Sequence, residues 1–447
     1  MKELINTIRN IFRIQELRTR ILNTLFFLLI YRLGSFVVLP GVDSAAIEAA
    51  NGDPEGLAGL INIFAGGAFS RASVFALGIM PYISASIIMQ LLGLAVPQFQ
   101  RMQKEGESGR KKINQYTRYL TVIVTALQAP GYIQTQIPSE AILTPGWMFW
   151  FTSIVILVSG TMFIMWLGER ITDRGLGNGI SLIIMIGIIA NLPVAFIQEF
   201  IGKLENSSTG GPVVLLLELF ILFFIVVVSI LLVQGTRKIP VQFAKKIVGN
   251  KQYGGVRQYI PLKVNASGVM PIIFAQAIMF IPLTVAGFAE AGSVNSFVSV
   301  ISDYTGFWHN FTFALLIVVF TYFYTAITIN PNQMADDMKR NGGFVPGVKP
   351  GKKTAEFIDT VMSRITFPGS LFLAFVAILP AFATRLGVNA QFAHFFGGTS
   401  LLILVGVVLD TLQQIESHLL MRHYDGLMKS GRIKGRQSPS AVSMVSN

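Results

Sequence analysis

No cysteine occurs in the 447 residues of this chain, so disulfides and thiolate metal centres are excluded and the redox state of its compartment leaves no mark. Charge is sparse too, at 13% Asp, Glu, Lys and Arg, about half the share of a soluble domain. The four histidines, His309, His394, His418 and His423, are scattered. HExxH, P-loop and properly flanked GxGxxG motifs are missing. GESG at 106–109 lacks the second glycine of a serine-hydrolase elbow, and RGLGNG at 174–179 reads as a tight turn rather than a phosphate cradle. These absences argue against an enzyme and give no reason to expect a cofactor or a metal. Apolar residues, by contrast, are abundant: they make up 52% of the chain, with a mean hydropathy of +0.59. That is the composition of a multispanning membrane protein.

Apolar windows near 21–39, 72–95, 116–137, 147–168, 179–201, 212–235, 268–288, 308–329, 366–384 and 397–415 predict ten transmembrane helices. Arg32 falls in the first window, where a central arginine costs about 2.5 to 3.5 kcal/mol. The thirteen Leu, Ile, Phe and Val residues between Ile21 and Leu39 outweigh it. The third and ninth windows are the weakest and are expected to lean on neighbouring helices. Ahead of the first, Lys2, Arg9, Arg13, Arg18 and Arg20 alternate with Ile5, Ile8, Ile11, Phe12 and Ile14, the pattern of a retained amphipathic surface helix. With both termini in the cytoplasm, 31 of the 35 Lys and Arg residues fall on the inner side, as the positive-inside rule requires. Two inner loops, 236–267 and 330–365, are long and basic, suited to an RNA backbone or an acidic protein surface.

Gly-x-Met-Pro-x-Ile occurs twice, as GIMPYI at 78–83 and GVMPII at 268–273. The copies are five spans apart, so they run in opposite directions and mark an inverted repeat with halves 1–205 and 206–447. Pro81 and Pro271 are expected to kink their helices where the halves part. The stretch 57–69 starts like a membrane helix but is interrupted by Gly66, Gly67 and then Arg71. It is surplus to anchoring and reads as a re-entrant piece folded into a central cavity. A secondary transporter of a small solute also uses inverted repeats and broken helices, but it wants ionisable groups at the midplane. Glu218 and Asp410 fall near span ends, where packing or interfacial roles suit them.

The stretches GGAFSRASVFALGIMPYISASIIMQLL, QKEGESGRKKINQYTRY, GTMFIMWLGERITDRGLGNGIS, PLKVNASGVMPIIFA, FVPGVKPGKKTAEFIDTVMSR and FGGTSLLI closely resemble the bacterial SecY family, channel subunits of the Sec protein translocon. The resemblance covers essentially the whole chain. It implies an all-α membrane protein with ten transmembrane helices in two inverted five-helix halves around a central pore, closed by a re-entrant plug helix. It places a pore ring at Ile79, Ile83, Ile180, Ile184, Ile273 and Ile403, and a plug at Leu60, Ile61, Asn62, Ile63, Phe64, Ala65, Gly66 and Gly67. It places a lateral gate at Ser84, Gln90, Asn265 and Gln276. Motor or ribosome docking falls to Lys245, Lys246, Lys251, Arg257, Lys349, Lys352 and Lys353. Lys349 stands where the family usually has arginine, and Asn250 with Lys251 where paired arginines are common; lysine lacks the bidentate fork. The implied partners are SecE, SecG, the SecA ATPase, the ribosome, signal peptides and unfolded preproteins, at the bacterial cytoplasmic membrane.

Overall fold

The computed structural model describes residues 14–50, 62–144, 146–205, 211–243, 246–248, 251–253, 257–286, 303 and 305–429. The chain runs through α1 (Gln15–Gly34), α2 (Ser44–Ala50), α3 (Met80–Ala95), α4 (Pro97–Lys104), α5 (Glu107–Gln136), α6 (Trp147–Arg174), α7 (Gly179–Glu205) and α8 (Gly211–Gln234). Strands β1 (Thr236–Phe243), β2 (Lys246–Val248), β3 (Lys251–Tyr253) and β4 (Arg257–Lys263) follow. Then come α9 (Met270–Ala286), α10 (Phe307–Thr328), α11 (Pro331–Arg340), β5 (Gly343–Phe344), α12 (Lys352–Arg385), α13 (Ala390–Ala393) and α14 (Gly398–Lys429).

Each apolar window contains a helix. Among the described residues, six stretches are long and apolar enough to cross a bilayer by themselves: Trp147–Arg174, Gly179–Glu205, Gly211–Gln234, Phe307–Arg340, Lys352–Arg385 and Gly398–Leu419. α3 and α4 form a seventh candidate, bent by 101°. The first helix begins at Gln15, so Arg18 and Arg20 belong to the helix of the first window, not to a separate surface helix. Residues 1–13 lie outside the described ones. Arg32 is not central either: it occupies the last turn of α1, where a cation suits the helix dipole.

The second helix starts at Met80, eight residues later than its window, because residues 74–79 form turns. Residues 264–269, before the seventh helix, do the same. Gly78 and Gly268 have φ of 55° and 64°, a conformation that costs other residues about 1 to 2 kcal/mol. In both copies Met opens the helix and Pro takes its second position. Pro81 and Pro271 therefore do not kink their helices; they start them, where a missing N–H loses no bond. The twice-used hexapeptide is thus a helix-start motif, conserved in conformation between its two copies.

The two basic segments, 236–267 and 330–365, are not plain loops. β1 pairs antiparallel with β4 from Thr236↔Lys263 to Gln242↔Arg257, and with β5 through Gln242↔Phe344 and Phe243↔Gly343, giving the sheet order β4-β1-β5. β2 and β3 make a separate hairpin. Ile239, Val241 and Leu262 form a small core with Met338 of α11 and Ile358 and Met362 of α12. The ninth window is only the second half of α12, whose first turns support this sheet. That explains how a weak apolar stretch holds a helix.

A Cβ built on Gly268 meets nothing within 4 Å, so Gly268→Ala carries a purely conformational penalty. It should lower the unfolding free energy of the detergent-solubilised chain by about 1 to 2 kcal/mol, with Gly268→Asn nearer the native value. Equal stability of all three would contradict the shared helix-start conformation.

Candidate functional site

The six isoleucines sit at or near the beginnings of four helices. Ile79 caps α3 and Ile83 lies in its first turn. Ile180 and Ile184 stand one turn apart at the start of α7, Ile273 in the first turn of α9, and Ile403 in the second turn of α14. Ile79, Ile83, Ile184 and Ile403 are 4%, 8%, 4% and 3% exposed, while Ile180 and Ile273 are half-buried. All six belong to one continuous apolar cluster that also holds Ile63 and Phe64 of the interrupted segment. The structure therefore brings chain from near residue 63 and from near residue 403 into the same greasy centre.

Asn62–Phe64 form a single helical turn, followed by turns from Ala65 to Ala72, with Ile63 through Phe69 buried. Leu60 and Ile61 lie outside the described residues. Such irregular backbone leaves carbonyls that an apolar surround cannot satisfy. Two arginines satisfy them: Arg32 Nη1 and Arg71 Nη2 each donate to the Gly66 carbonyl at 2.9 Å, and Arg71 Nε donates to that of Gly67 at 2.9 Å. Both guanidiniums lie over the Phe36 ring, Arg71 at 4.3 Å and Arg32 at 5.4 Å from its centroid. Tyr31 donates to the Ala65 carbonyl at 3.3 Å, and Tyr132 donates to that of Phe69 at 2.7 Å. Within the segment, Gly67 N–H reaches the Asn62 carbonyl at 2.8 Å and Ser70 N–H reaches Asn62 Oδ1 at 3.1 Å.

The other face of the segment rests on α7. A side chain on Gly187 would collide with the Phe64 carbonyl and crowd Gly66 N. The backbone of the segment and that of α7 thus touch directly, one turn beyond Ile184. Sequence reasoning missed Arg71, Tyr31, Tyr132 and Gly187 as site residues and treated Arg32 as a cost. An arginine inside an apolar window was itself the available signal, because such a residue is retained for a partner.

The polar seam residues are placed on α3 and α9, or just before it. Asn265 and Gln276 are buried at 8% and 4% exposure, and Ser84 and Gln90 are half-buried. Gln90 reaches Ser86 at 3.4 Å, and Ser267 donates to Asn265 at 3.2 Å. No hydrogen bond joins any two of the four, although α3 and α9 touch. On the basic surface, Lys349, Lys352 and Lys353 are exposed between β5 and the start of α12. Lys353 Nζ holds Glu356 at 2.9 Å and keeps that carboxyl below its usual range. Lys246, Lys251 and Arg257 fall on β2, β3 and β4. Lys245 lies outside the described residues.

Apolar helices able to span a bilayer, gathered around a buried stretch of irregular backbone, define a multi-pass membrane protein. The chain belongs to the SecY family, whose model matches residues 73–412. It is 44% identical to the protein translocase subunit SecY of Halalkalibacterium halodurans over 435 residues, 95% of this chain and 99% of that one. Its fold is similar to that of a solved protein conducting channel, with a TM-score of 0.65, 17% identity, and coverage of 94% of this chain and 95% of that one. It is also similar to Sec61 in the canine ribosome-channel complex from the endoplasmic reticulum, with a TM-score of 0.61, 17% identity and the same coverage.

Gly187→Val should push the Asn62–Phe69 segment off α7. A cysteine introduced at Ile63 in this cysteine-free chain would then react with a water-soluble maleimide at least several-fold faster than in the Gly187 background. Equal rates would mean that the close backbone approach does not hold the segment.

Proposed function

We propose that this chain is the channel-forming subunit of a protein translocase. It moves unfolded preproteins across the bacterial cytoplasmic membrane and releases signal or transmembrane helices sideways into lipid. In this reading all ten window helices cross the membrane, as inverted halves 1–205 and 206–447, with both termini in the cytoplasm. The observation that carries it is the burial of Ile63 and Phe64 in one apolar cluster with isoleucines from four helices of both halves. A collar of branched apolar side chains excludes ions by dewetting when narrow. It also offers a passing chain no strong hydrogen-bonding partner, so the chain is not retained.

The segment 57–69 is the plug of this channel, and Arg32 and Arg71 are the donors that seat it. Hydrogen bonds to charged groups contribute about 1.5 to 3 kcal/mol each, enough to favour the closed state while remaining reversible. Displacing the plug transfers Gly66 and Gly67 carbonyls to water or to the passing chain. The seam between α3 and α9 is the lateral gate; the absence of hydrogen bonds among its four polar residues leaves little to break when it parts. Through it a hydrophobic helix reaches lipid with about 0.3 to 0.6 kcal/mol from each Leu or Ile.

The chain does no covalent chemistry in this reading; work comes from translation or from the SecA ATPase. The β4-β1-β5 sheet and the exposed lysines at 349, 352 and 353 form the docking surface for SecA or the ribosome. SecE clamps the halves and SecG binds at the periphery. A solute transporter is disfavoured because the described side chains of the waist are apolar, and Glu218 lies away from it.

Proteoliposomes holding the chain with a SecE partner should protect a signal-bearing precursor from protease when SecA and ATP are supplied. Solute uptake without precursor, and no protection, would overturn the proposal. Ile83→Asn and Ile403→Asn should raise ion leak by about tenfold and admit precursors with weakened signals, read by conductance and export assays. Arg32→Ala should raise leak in the same direction by unseating the plug, since it removes one of two donors to Gly66.

A further inference from the structure

Residues 36–39, just beyond α1, run antiparallel to residues 72–74, just beyond the buried segment. Leu39 N–H donates to the Ala72 carbonyl at 2.9 Å and Val74 N–H to that of Val37 at 2.8 Å, with Val38 paired to Ser73. Phe36 begins one stretch and Arg71 precedes the other, so the pairing brings ring and guanidinium together. Phe36 is 55% exposed, and an exposed apolar ring is ordinary in a membrane protein. Two guanidiniums on one ring are not. Arg71 lies 4.3 Å and Arg32 5.4 Å from its centroid, both inside the reach of about 6 Å over which a ring face attracts a cation.

The same two cations converge on one acceptor, the Gly66 carbonyl, which takes a hydrogen bond of 2.9 Å from each. Like charges brought to one oxygen repel, and the negative face of the ring offsets the repulsion where it arises. The backbone enforces the arrangement. Ala72, directly after Arg71, has a φ of 46°, the one positive value among the described residues other than glycine. Its side chain is 1% exposed. A left-handed alanine is strained, and such strain persists only where the surrounding structure imposes it. Here the chain must leave the buried segment and enter the pairing with 37–39 in a single step, while Arg71 stays behind with its bonds to Gly66 and Gly67.

We propose that Phe36 is a positioning residue for the seat of the buried segment: its ring holds Arg32 and Arg71 side by side so that both donate to Gly66, and thereby sets how firmly the segment is held. The inference rests on reading that segment as the plug. Without the ring face the two guanidiniums move apart, one donor to Gly66 is lost, and the irregular backbone is left short of a partner. A leucine fills similar space but carries no negative face. It cannot replace the phenylalanine, whereas a tryptophan can.

The test uses the full chain with its partner subunits in proteoliposomes, and a cysteine in place of Ile63, 7% exposed, whose labelling by a water-soluble maleimide reports departure of the segment. At position 36, phenylalanine analogues with one, two and three ring fluorines keep the shape of the ring and progressively withdraw electron density from its face. Labelling should quicken in step with fluorination, by about fivefold for the trifluorinated ring, while the melting temperature stays native. Phe36→Leu should label at least as fast as the trifluorinated form, and Phe36→Trp near the native rate. In an Arg71→Gln background, which lacks the nearer cation, the dependence on fluorination should fall by more than half. Labelling independent of fluorination, or an equal dependence with and without Arg71, overturns the proposal. The fluorinated rings decide this even if Phe36→Leu does not fold. Ion conductance of the same liposomes addresses the plug reading separately. Labelling that follows fluorination without any change in leak supports the role of Phe36 in seating the segment and counts against the segment as a plug.

Discussion

A backbone that leaves regular helix inside an apolar surround must find donors for its carbonyls, and this requirement organises the centre of the molecule. The Ile63–Phe69 stretch is buried and irregular, so its carbonyls depend on side chains from elsewhere. Arg32 comes from the end of α1, Tyr31 from the residue before it, Tyr132 from α5, and Arg71 from just beyond the segment itself. Because the arginine at the end of α1 has a task, the first helix can carry it. Because the segment needs α7 at its back, Gly187 must lack a side chain. The apolar collar then closes around what these donors hold in place.

The collar is built where helices begin. α3, α7, α9 and α14 each bring an isoleucine from their opening turns into the central apolar cluster, so the backbone positions of these side chains are set by helix starts and not by long unbroken helices. In α3 and α9 the same left-handed glycine and early proline perform that start. An element that must place a side chain in a buried centre without a kink can do so by beginning there. The turns that precede it are tolerated because they are buried in protein.

The two sides of the molecule differ in what binds them. Along α7, charged and amide groups tie the helix to α8, to Gly387 and to α14, whereas Ser84, Gln90, Asn265 and Gln276 make no hydrogen bond to one another where α3 meets α9. Polar ties in a low dielectric are directional and resist sliding, while apolar contacts re-form in many arrangements. The sheet of β1, β4 and β5 is braced by α11 and α12.

Local pattern determined much of this protein. Each of the ten apolar windows falls on a helix, two helix starts follow from a twice-written hexapeptide, and the interruption of the buried segment from its own glycines. Even so, helix boundaries slipped: α3 begins at Met80 and not near 72, since only the folded turn shows where the ladder of hydrogen bonds can begin. α12 extends back to Lys352, since its first turns pack on a sheet whose strands β1 and β4 come from a distant part of the chain. The pairing of Arg32 with Gly66, the contact of Gly187 with Phe64, and the placing of Arg32 and Arg71 over Phe36 were decided by tertiary structure alone. Hydrophobic periodicity is a property of neighbours in sequence, whereas the partner of a buried charge or carbonyl is chosen by distance in space.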